Sequence, residues 1–125
     1  MFLFAEPVWS QNINSYLLWE SNLLTDTKSG EEVAYAGKLV TGGNKVIWKQ
    51  GSPEFSTEFV VIKTMGSWTN VQEDGSIIYE VKSMNRVGTL EFRRTGSDVR
   101  VTFNFPEAGI NTMPIVLQIS KVSPQ

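Results

Sequence analysis

The sequence predicts an all-β domain, an antiparallel meander of about eight strands that forms an up-and-down or half-open barrel. The first observation is strict alternation over residues 98–105, with valines and phenylalanines on one face and Arg100, Thr102 and Asn104 on the other. The second is that apolar runs recur roughly every ten to twelve residues with short turn signals between them. The third is that no stretch after Thr27 has a helical period. A β-sandwich is the alternative, because strand order cannot be read from local pattern.

Length and composition fit one domain. The chain has 125 residues, and 41% of them are hydrophobic, which is enough for a packed core. We predict a single β domain over residues 11–125. Short links favour pairing between strands that are neighbours in sequence. A sheet with this many strands must close or fold over to bury one face.

Composition excludes several kinds of chemistry. The chain contains no His and no Cys, which removes common zinc sites, cysteine nucleophiles and every catalytic triad with a histidine base. The formal net charge is −2, from 11 basic and 13 acidic residues, which disfavours nucleic acid as a partner. There is no apolar run of about 18 residues, so no membrane-spanning helix is predicted. The acidic turns lack the spacing of a calcium loop, so neither metal nor cofactor is expected.

Residues 1–10 begin with a short apolar run, which then ends. Val8 and Ser10 are small residues spaced as a signal-peptidase site requires, with cleavage before Gln11. A basic segment before the apolar run is missing. We interpret residues 1–10 as a truncated signal-peptide remnant, which predicts a secreted or periplasmic protein. The alternative is an N-terminal arm, Phe2 to Val8, that packs on the domain.

The segment from Asn12 to Thr27 fits two structures. A helix would place Ile13, Leu17 and Leu24 on one side, whereas a strand would place Leu17, Trp19 and Leu23 on one face. A polar turn over residues 26–31 leads directly into the apolar run 33–40. Two apolar stretches joined in this way are typical of a hairpin, which favours the strand.

The remaining strands follow in regular order. A tight turn at residues 41–44 precedes the first of them, and Pro53 follows that strand because proline cannot donate to a ladder. Gly66 is a bend, after which residues 68–71 continue the second strand, and residues 110–112 form a loop. The predicted strands are residues 45–50, 55–65, 76–83, 87–93, 98–105 and 114–122.

Gly66-Ser67-Trp68 has the Gly-x-Trp form that resembles the lipocalin signature. The resemblance covers these residues alone. In lipocalins the motif lies near the start of the first strand, whereas here it is in the middle of the chain. The barrel is a common solution to the same packing problem, and we assign the chain to no family.

Aromatic residues are the candidate binding groups. Aromatic faces stack on apolar ligands and on sugars, so the rings can line an interior cavity for a small apolar or glycan ligand. The alternative is that they fill the barrel core and its ends. The candidate ligand-binding residues are Trp48, Trp68, Tyr79, Phe92 and Phe103.

Arg93 and Arg100 lie on adjacent predicted strands and are expected on the outer face. Together they form a small basic patch that suits a phosphate or an acidic partner. The alternative is ordinary surface charge, with Glu91 as the counter-ion.

Catalysis is not predicted. A glycosidase needs two carboxylates that face each other across a cleft, but alternation places Glu80 and Glu91 on the outer face. We therefore expect a non-catalytic exported β-barrel module that binds a small apolar or glycan ligand in its interior. The alternative is a protein-interaction module that uses an outer sheet face or edge, with a filled interior and an exposed apolar patch. The chain is expected to be a monomer or a weak dimer paired through apolar edges.

Overall fold

A computed structural model describes residues 11–125, so the predicted signal remnant or arm at residues 1–10 lies outside the described residues. Within the described range the secondary structure is entirely β. In this range no helix is long and apolar enough to cross a membrane. The strands are β1 Leu17–Asp26, β2 Glu32–Ala34, β3 Lys38–Gly42, β4 Lys45–Gln50, β5 Phe55–Met65, β6 Gly75–Ser83, β7 Arg86–Thr95, β8 Asp98–Asn104, β9 Pro106–Glu107, β10 Ile110–Asn111 and β11 Ile115–Pro124.

The strands form a closed antiparallel barrel. One sheet runs in the order β11-β8-β7-β6-β5-β4-β3-β1-β2, and β1 also pairs with β11, which closes the ring. The barrel has 8 strands, with β2 as an additional strand alongside β1. β9 and β10 form a separate small hairpin. The predicted barrel is confirmed, and the sandwich alternative is wrong.

Alternation places the core inside the barrel. Along β8, Val99, Val101 and Phe103 are buried, whereas Arg100 and Asn104 are exposed. The same pattern recurs around the ring because one face of every barrel strand points inward. Burying each large apolar side chain contributes about 1.5–3 kcal/mol to the hydrophobic term.

The ambiguous segment after Asn12 forms a strand, as favoured. Leu17 and Trp19 are fully buried, as the strand interpretation predicted. The β1–β11 register is irregular on both sides of Ser21, as at a β-bulge, which resets the alternation. As a result Leu24, and not the predicted Leu23, packs against the core.

The apolar run 33–40 was predicted as one strand, and this prediction is wrong. The run divides into β2 and β3 with Tyr35 to Gly37 between them. The Tyr35 ring lies against Gly37, where an added Cβ would be 2.4 Å from ring atom Cε2. The Gly37 N–H donates to the Ser21 hydroxyl at 3.2 Å, so the interruption is held by both a ring contact and a hydrogen bond.

Two smaller predictions also need correction. Residues 68–71 do not continue β5 as a strand; only Asn70 makes an isolated bridge, to Asn12, and the Trp68 side chain is buried. The predicted loop at residues 110–112 contains β10, which pairs with β9. Asn111 holds this small hairpin to the barrel, because its side chain accepts from Phe105 N–H at 2.9 Å and donates to the Phe103 carbonyl at 3.1 Å.

Candidate functional site

The two ends of the barrel are built from different connections. In an up-and-down barrel, alternate connections lie at the same end. The connections at residues 51–54, 84–85 and 105–114 lie at one end, which we call the mouth. The connections at residues 43–44 and 66–74 lie at the other, which we call the closed end.

The closed end is covered by two pieces of chain. Ile13 and Val71 are 4% and 0% exposed and fill the barrel end together with Trp68. Their backbones are tied together: Ile13 N–H donates to Thr69 O at 2.8 Å, and Val71 N–H donates to Gln11 O at 2.9 Å. Arg94 also donates to the Val71 carbonyl at 2.7 Å, which fixes the covering link to β7.

Trp68 is the largest side chain in this cover. Its indole N–H donates to the Glu73 carbonyl at 2.9 Å, and its ring centroid lies 6.1 Å from that of Trp19. A Cβ on Gly75 would be 2.2 Å from the Trp68 ring, so the ring packs directly on the β6 backbone. Trp68, a predicted ligand-binding residue, is placed as a packing residue at the closed end.

Aromatic rings fill the middle of the barrel. Phe92 lies between two neighbours, with ring centroids 4.7 Å from Trp19 and 5.6 Å from Tyr79. Phe103 lies 5.0 Å from Trp48 by the same measure. These tilted and edge-on contacts are typical of packed aromatic cores. Two further predicted site residues, Phe92 and Phe103, are therefore core residues.

A cavity of about 320 Å³ opens at the mouth. Small-molecule sites start at about this volume. Its apolar wall is formed by Trp48, Phe59, Met84, Phe105 and Met113. Its polar wall is formed by Gln50, Thr57, Ser83 and Arg86.

Trp48 is held at the cavity wall through its indole N–H. This group donates to the Tyr35 hydroxyl at 2.9 Å, and that hydroxyl is also hydrogen-bonded to the Gln50 side-chain oxygen. Burial raises the pKa of Tyr35 above its usual 10.0, although the bond from Trp48 opposes the shift. Tyr35 therefore stays protonated at neutral pH and can donate to Gln50 while it accepts from Trp48. The contact between Tyr35 and Trp48 was not predicted, because the break after β2 was not expected.

Arg86 supplies the positive charge of the mouth. Its guanidinium carbon lies 5.5 Å from the centroid of the Phe105 ring, a cation–π distance, and Nη2 donates to the Thr112 hydroxyl. No acidic side chain among residues 11–125 forms an ion pair with it. Phe105 in turn lies over Gly88, where an added Cβ would be 2.4 Å from the ring. Arg86 lies directly after the β6–β7 turn, and this position was the sequence signal for a charge at the barrel end.

The rim of the mouth carries exposed apolar side chains. Met84 is 90% exposed, and Phe55 and Ile110 are both 58% exposed. Met84 also has a φ of 57°, a left-handed conformation that costs a residue with a side chain about 1–2 kcal/mol. An exposed apolar side chain on a strained backbone is unfavourable in the free protein, which makes this turn a candidate contact point.

The predicted basic patch lies elsewhere. Arg93 and Arg100 are cross-strand neighbours on β7 and β8. Arg93 pairs with Glu91 at 2.9 Å, and Arg100 pairs with Asp98 at 3.0 Å. The hydrogen bond from Gln118, and to a smaller extent the one from Arg100, lowers the pKa of Asp98 below its usual 3.8. The Asp98 carboxylate therefore stays charged at neutral pH. The patch therefore consists of arginines that already have counter-ions.

Tyr79 lines a different cavity, of about 250 Å³, close to the closed end. Of the five predicted ligand-binding residues, Trp48 thus lines the mouth, Tyr79 lines this second cavity, and the other three pack the interior. Over residues 11–125 the acidic side chains do not gather into a group that could hold a metal ion.

No protein-family model, no curated protein and no solved structure matches the chain.

Proposed function

We propose that the protein is a non-catalytic β-barrel module that binds a small apolar molecule with an anionic group at its mouth. The observation that carries this proposal is the cavity of about 320 Å³ at the mouth, between Trp48, Phe59 and Phe105. Barrels of this strand number are just wide enough to be filled by side chains or to hold one small ligand, as lipocalins do. Here the filled interior leaves the mouth as the ligand position.

The chemistry of the wall selects the ligand. Trp48, Phe59 and Phe105 offer apolar surface, and each buried methylene of a ligand contributes about 0.8 kcal/mol. Arg86 suits a carboxylate or phosphate, because its guanidinium group offers several donors to a planar anion. The ligand is thus a short amphipathic acid, with its chain in the cavity and its head at Arg86.

Export is part of the same proposal, on the basis of the pattern in residues 1–10. The intact mass of the protein recovered from its native source tests it. A chain that starts at Gln11 would support export, and a chain that still starts at Met1 would count against it.

Binding can be tested with octanoate as the probe and 1-octanol as its neutral counterpart, by isothermal titration calorimetry. We expect saturable octanoate binding at one site. Arg86→Gln removes the charge but keeps a polar side chain, and should weaken octanoate binding about tenfold while leaving octanol within about twofold. Arg93→Gln is the matched control, because Arg93 is paired with Glu91 on the outer face, and it should change neither.

Two results would contradict the proposal: no saturable binding of either probe, or equal loss of octanoate affinity in both arginine variants. Native mass spectrometry of gently purified protein identifies the natural ligand class. A stoichiometric extra mass that is released on unfolding and proves to be a small apolar acid would support the proposal.

A second candidate function is docking of another protein on the rim, with a second copy of the chain as the simplest case. Exposed Phe55, Met84 and Ile110 favour it, because apolar side chains at one end of the barrel suit a self-complementary contact. Sedimentation velocity over a concentration series distinguishes the two functions. A dimer that Phe55→Ser dissociates would favour docking, whereas a monomer at all concentrations would exclude self-association.

A further inference from the structure

The second cavity, which we call the side cleft, opens through the barrel wall near the closed end. Its wall includes the β3–β4 turn at residues 42–44, Asn14, Thr64 and Tyr79. The cleft exists because β4 begins at Lys45, opposite Val60, so that β4 does not pair with the second half of β5.

Tyr79 is the first observation that indicates a ligand. The residue is 9% exposed, yet no described residue forms a hydrogen bond with its hydroxyl. Among residues 11–125, every side-chain nitrogen or oxygen that is shielded completely from solvent has a partner. The Tyr79 hydroxyl is therefore reached by solvent, through the cleft that the residue lines. Burial raises the pKa of Tyr79 to about 12, so the hydroxyl is a hydrogen-bond donor at neutral pH.

Thr41 supplies a second hydroxyl in the same wall. It is 1% exposed, and its oxygen accepts from the Trp19 indole N–H at 2.9 Å. Because that nitrogen can only donate, the Thr41 proton is not used in the bond and is free for an acceptor. Thr41 and Tyr79 both line the cleft, and Tyr79 is the more exposed of the two.

The charges around the cleft determine which acceptor fits. Lys45 is the charged side chain in its wall, and it is already paired with Glu58 at 2.7 Å, with about half of each side chain exposed. The deep groups are uncharged hydroxyls. Burying an anion against uncharged groups is unfavourable, whereas a neutral hydroxyl or carbonyl exchanges water hydrogen bonds for protein ones.

We propose that the side cleft binds a neutral, hydroxyl-rich small molecule of the size of a single sugar ring. The volume of about 250 Å³ equals about eight water molecules at about 30 Å³ each. A ligand hydroxyl accepts from Tyr79, and Asn14 in the cleft wall carries an amide with both donor and acceptor groups. This site shares no lining residue with the mouth, so it goes beyond the proposed function and stands independently of it.

The test is an NMR titration of the amide signals of Gly43, Asn44 and Thr64 with D-glucose, D-galactose and N-acetyl-D-glucosamine. We expect saturable shifts with at least one of these sugars. D-glucuronate keeps the ring of glucose but adds a charge, and should bind at least tenfold more weakly than D-glucose. Tyr79→Phe keeps the buried ring and removes the hydroxyl, and should weaken sugar binding about threefold to tenfold.

Two controls separate this site from the rest of the molecule. Tyr35→Phe is the matched hydroxyl deletion at the mouth, and Arg86→Gln removes the charge of the mouth; neither should change sugar binding. Absence of saturable shifts with all three sugars would overturn the proposal. Equal or tighter binding of glucuronate, or unchanged affinity in Tyr79→Phe, would also overturn it. Loss of octanoate binding alone would reject the mouth proposal and leave this one standing.

Discussion

The two ends of the barrel use the same residue type in different ways. At the closed end, the Trp68 N–H is bonded to a backbone carbonyl and its ring is covered by packed chain. At the mouth, the Trp48 N–H is bonded to the Tyr35 hydroxyl, and its ring forms a wall of an open cavity. Burial is nearly equal, with 5% and 6% exposure, so burial alone does not distinguish a tryptophan covered by chain from one that borders a cavity.

The chain segments that lie over the two ends differ. The link over residues 66–74 is long enough to fold back over the barrel end, where Val71 and Ile13 complete a small cover. At the mouth, the turn at Met84 and Asn85 is short, and the longer connection at residues 105–114 folds into the small β9–β10 hairpin. The closed end is thus filled by its own connection, whereas the connections at the mouth leave a cavity beside Trp48.

Trp68→Ala should give the largest effect, a loss of about 3–5 kcal/mol in the free energy of unfolding. The substitution removes a ring that is 5% exposed and packs on Trp19 and Gly75. Phe55→Ala at the mouth is the control and should cost less than about 1 kcal/mol, because Phe55 is 58% exposed. Urea unfolding of both variants measures this, and equal losses would break the proposed distinction between the ends.

Alkaline pH should give the next largest effect. The pKa of Tyr79 is about 12 in the folded state and 10.0 when exposed. Below pH 10 the folded and unfolded states both keep the Tyr79 proton, so the contribution of this group to stability is fully present. Between pH 10 and pH 12 the unfolded state loses the proton first, so stability falls, by up to about 3 kcal/mol. Urea unfolding from pH 8 to pH 12 should show a smaller fall for Tyr79→Phe than for the parent protein, and identical falls would contradict the assignment.

Tyr35→Phe should cost about 1–2 kcal/mol at the mouth, since the Trp48 N–H and the Gln50 side chain both lose their partner. Tyr16→Phe is the matched control. Tyr16 is 58% exposed, so the loss of its hydroxyl should change stability by less than about 0.5 kcal/mol. Thermal unfolding of the pair measures the difference, and a neutral Tyr35→Phe would mean that the hydrogen-bonded chain does not hold Trp48.

Met84→Gly should stabilise the protein slightly, by about 0.5–1 kcal/mol, because glycine accepts the positive φ without steric strain. The same change removes apolar wall and should weaken octanoate binding. Asn44→Gly, in the β3–β4 turn with a φ of 62°, is the control; Asn tolerates this conformation, so its gain should be smaller. A destabilised Met84→Gly would show that the turn is favourable in the free protein.

Alternation and turn chemistry were enough to predict the barrel. Val99, Val101 and Phe103 point inward as expected, and the turn at Gly43 and Asn44 has the positive φ angles that these residues favour. The break at Tyr35 was missed, because residues 33–40 form a continuous apolar run. The contact of the Tyr35 ring with the Gly37 backbone does not follow the two-residue repeat of a strand, so the sequence pattern does not reveal it. The bulge at Ser21 was missed for a related reason, since it depends on the pairing with β11.

The candidate site was harder to predict than the fold. Composition identified aromatic residues as candidates. Trp48 lines the mouth, Trp68 belongs to the cover of the closed end and Phe92 lies in the core, and these places depend on which connections meet at each end. Arg86 differs from Arg93 only through its partners: Phe105 and Thr112 come from a connection far along the chain. Such long-range contacts leave no local signal in a single sequence.

We propose that one end of the barrel takes an apolar ligand and that the other end does not. The most direct measurement is methyl NMR of ¹³C-labelled methionine during an octanoate titration. Met84 and Met113 line the mouth, whereas Met65 ends β5 at the opposite end of the barrel. We expect saturable shifts of the Met84 and Met113 signals and a stationary Met65 signal. Shifts of Met65 as large as those of Met84, or no shift at Met84 and Met113, would contradict it.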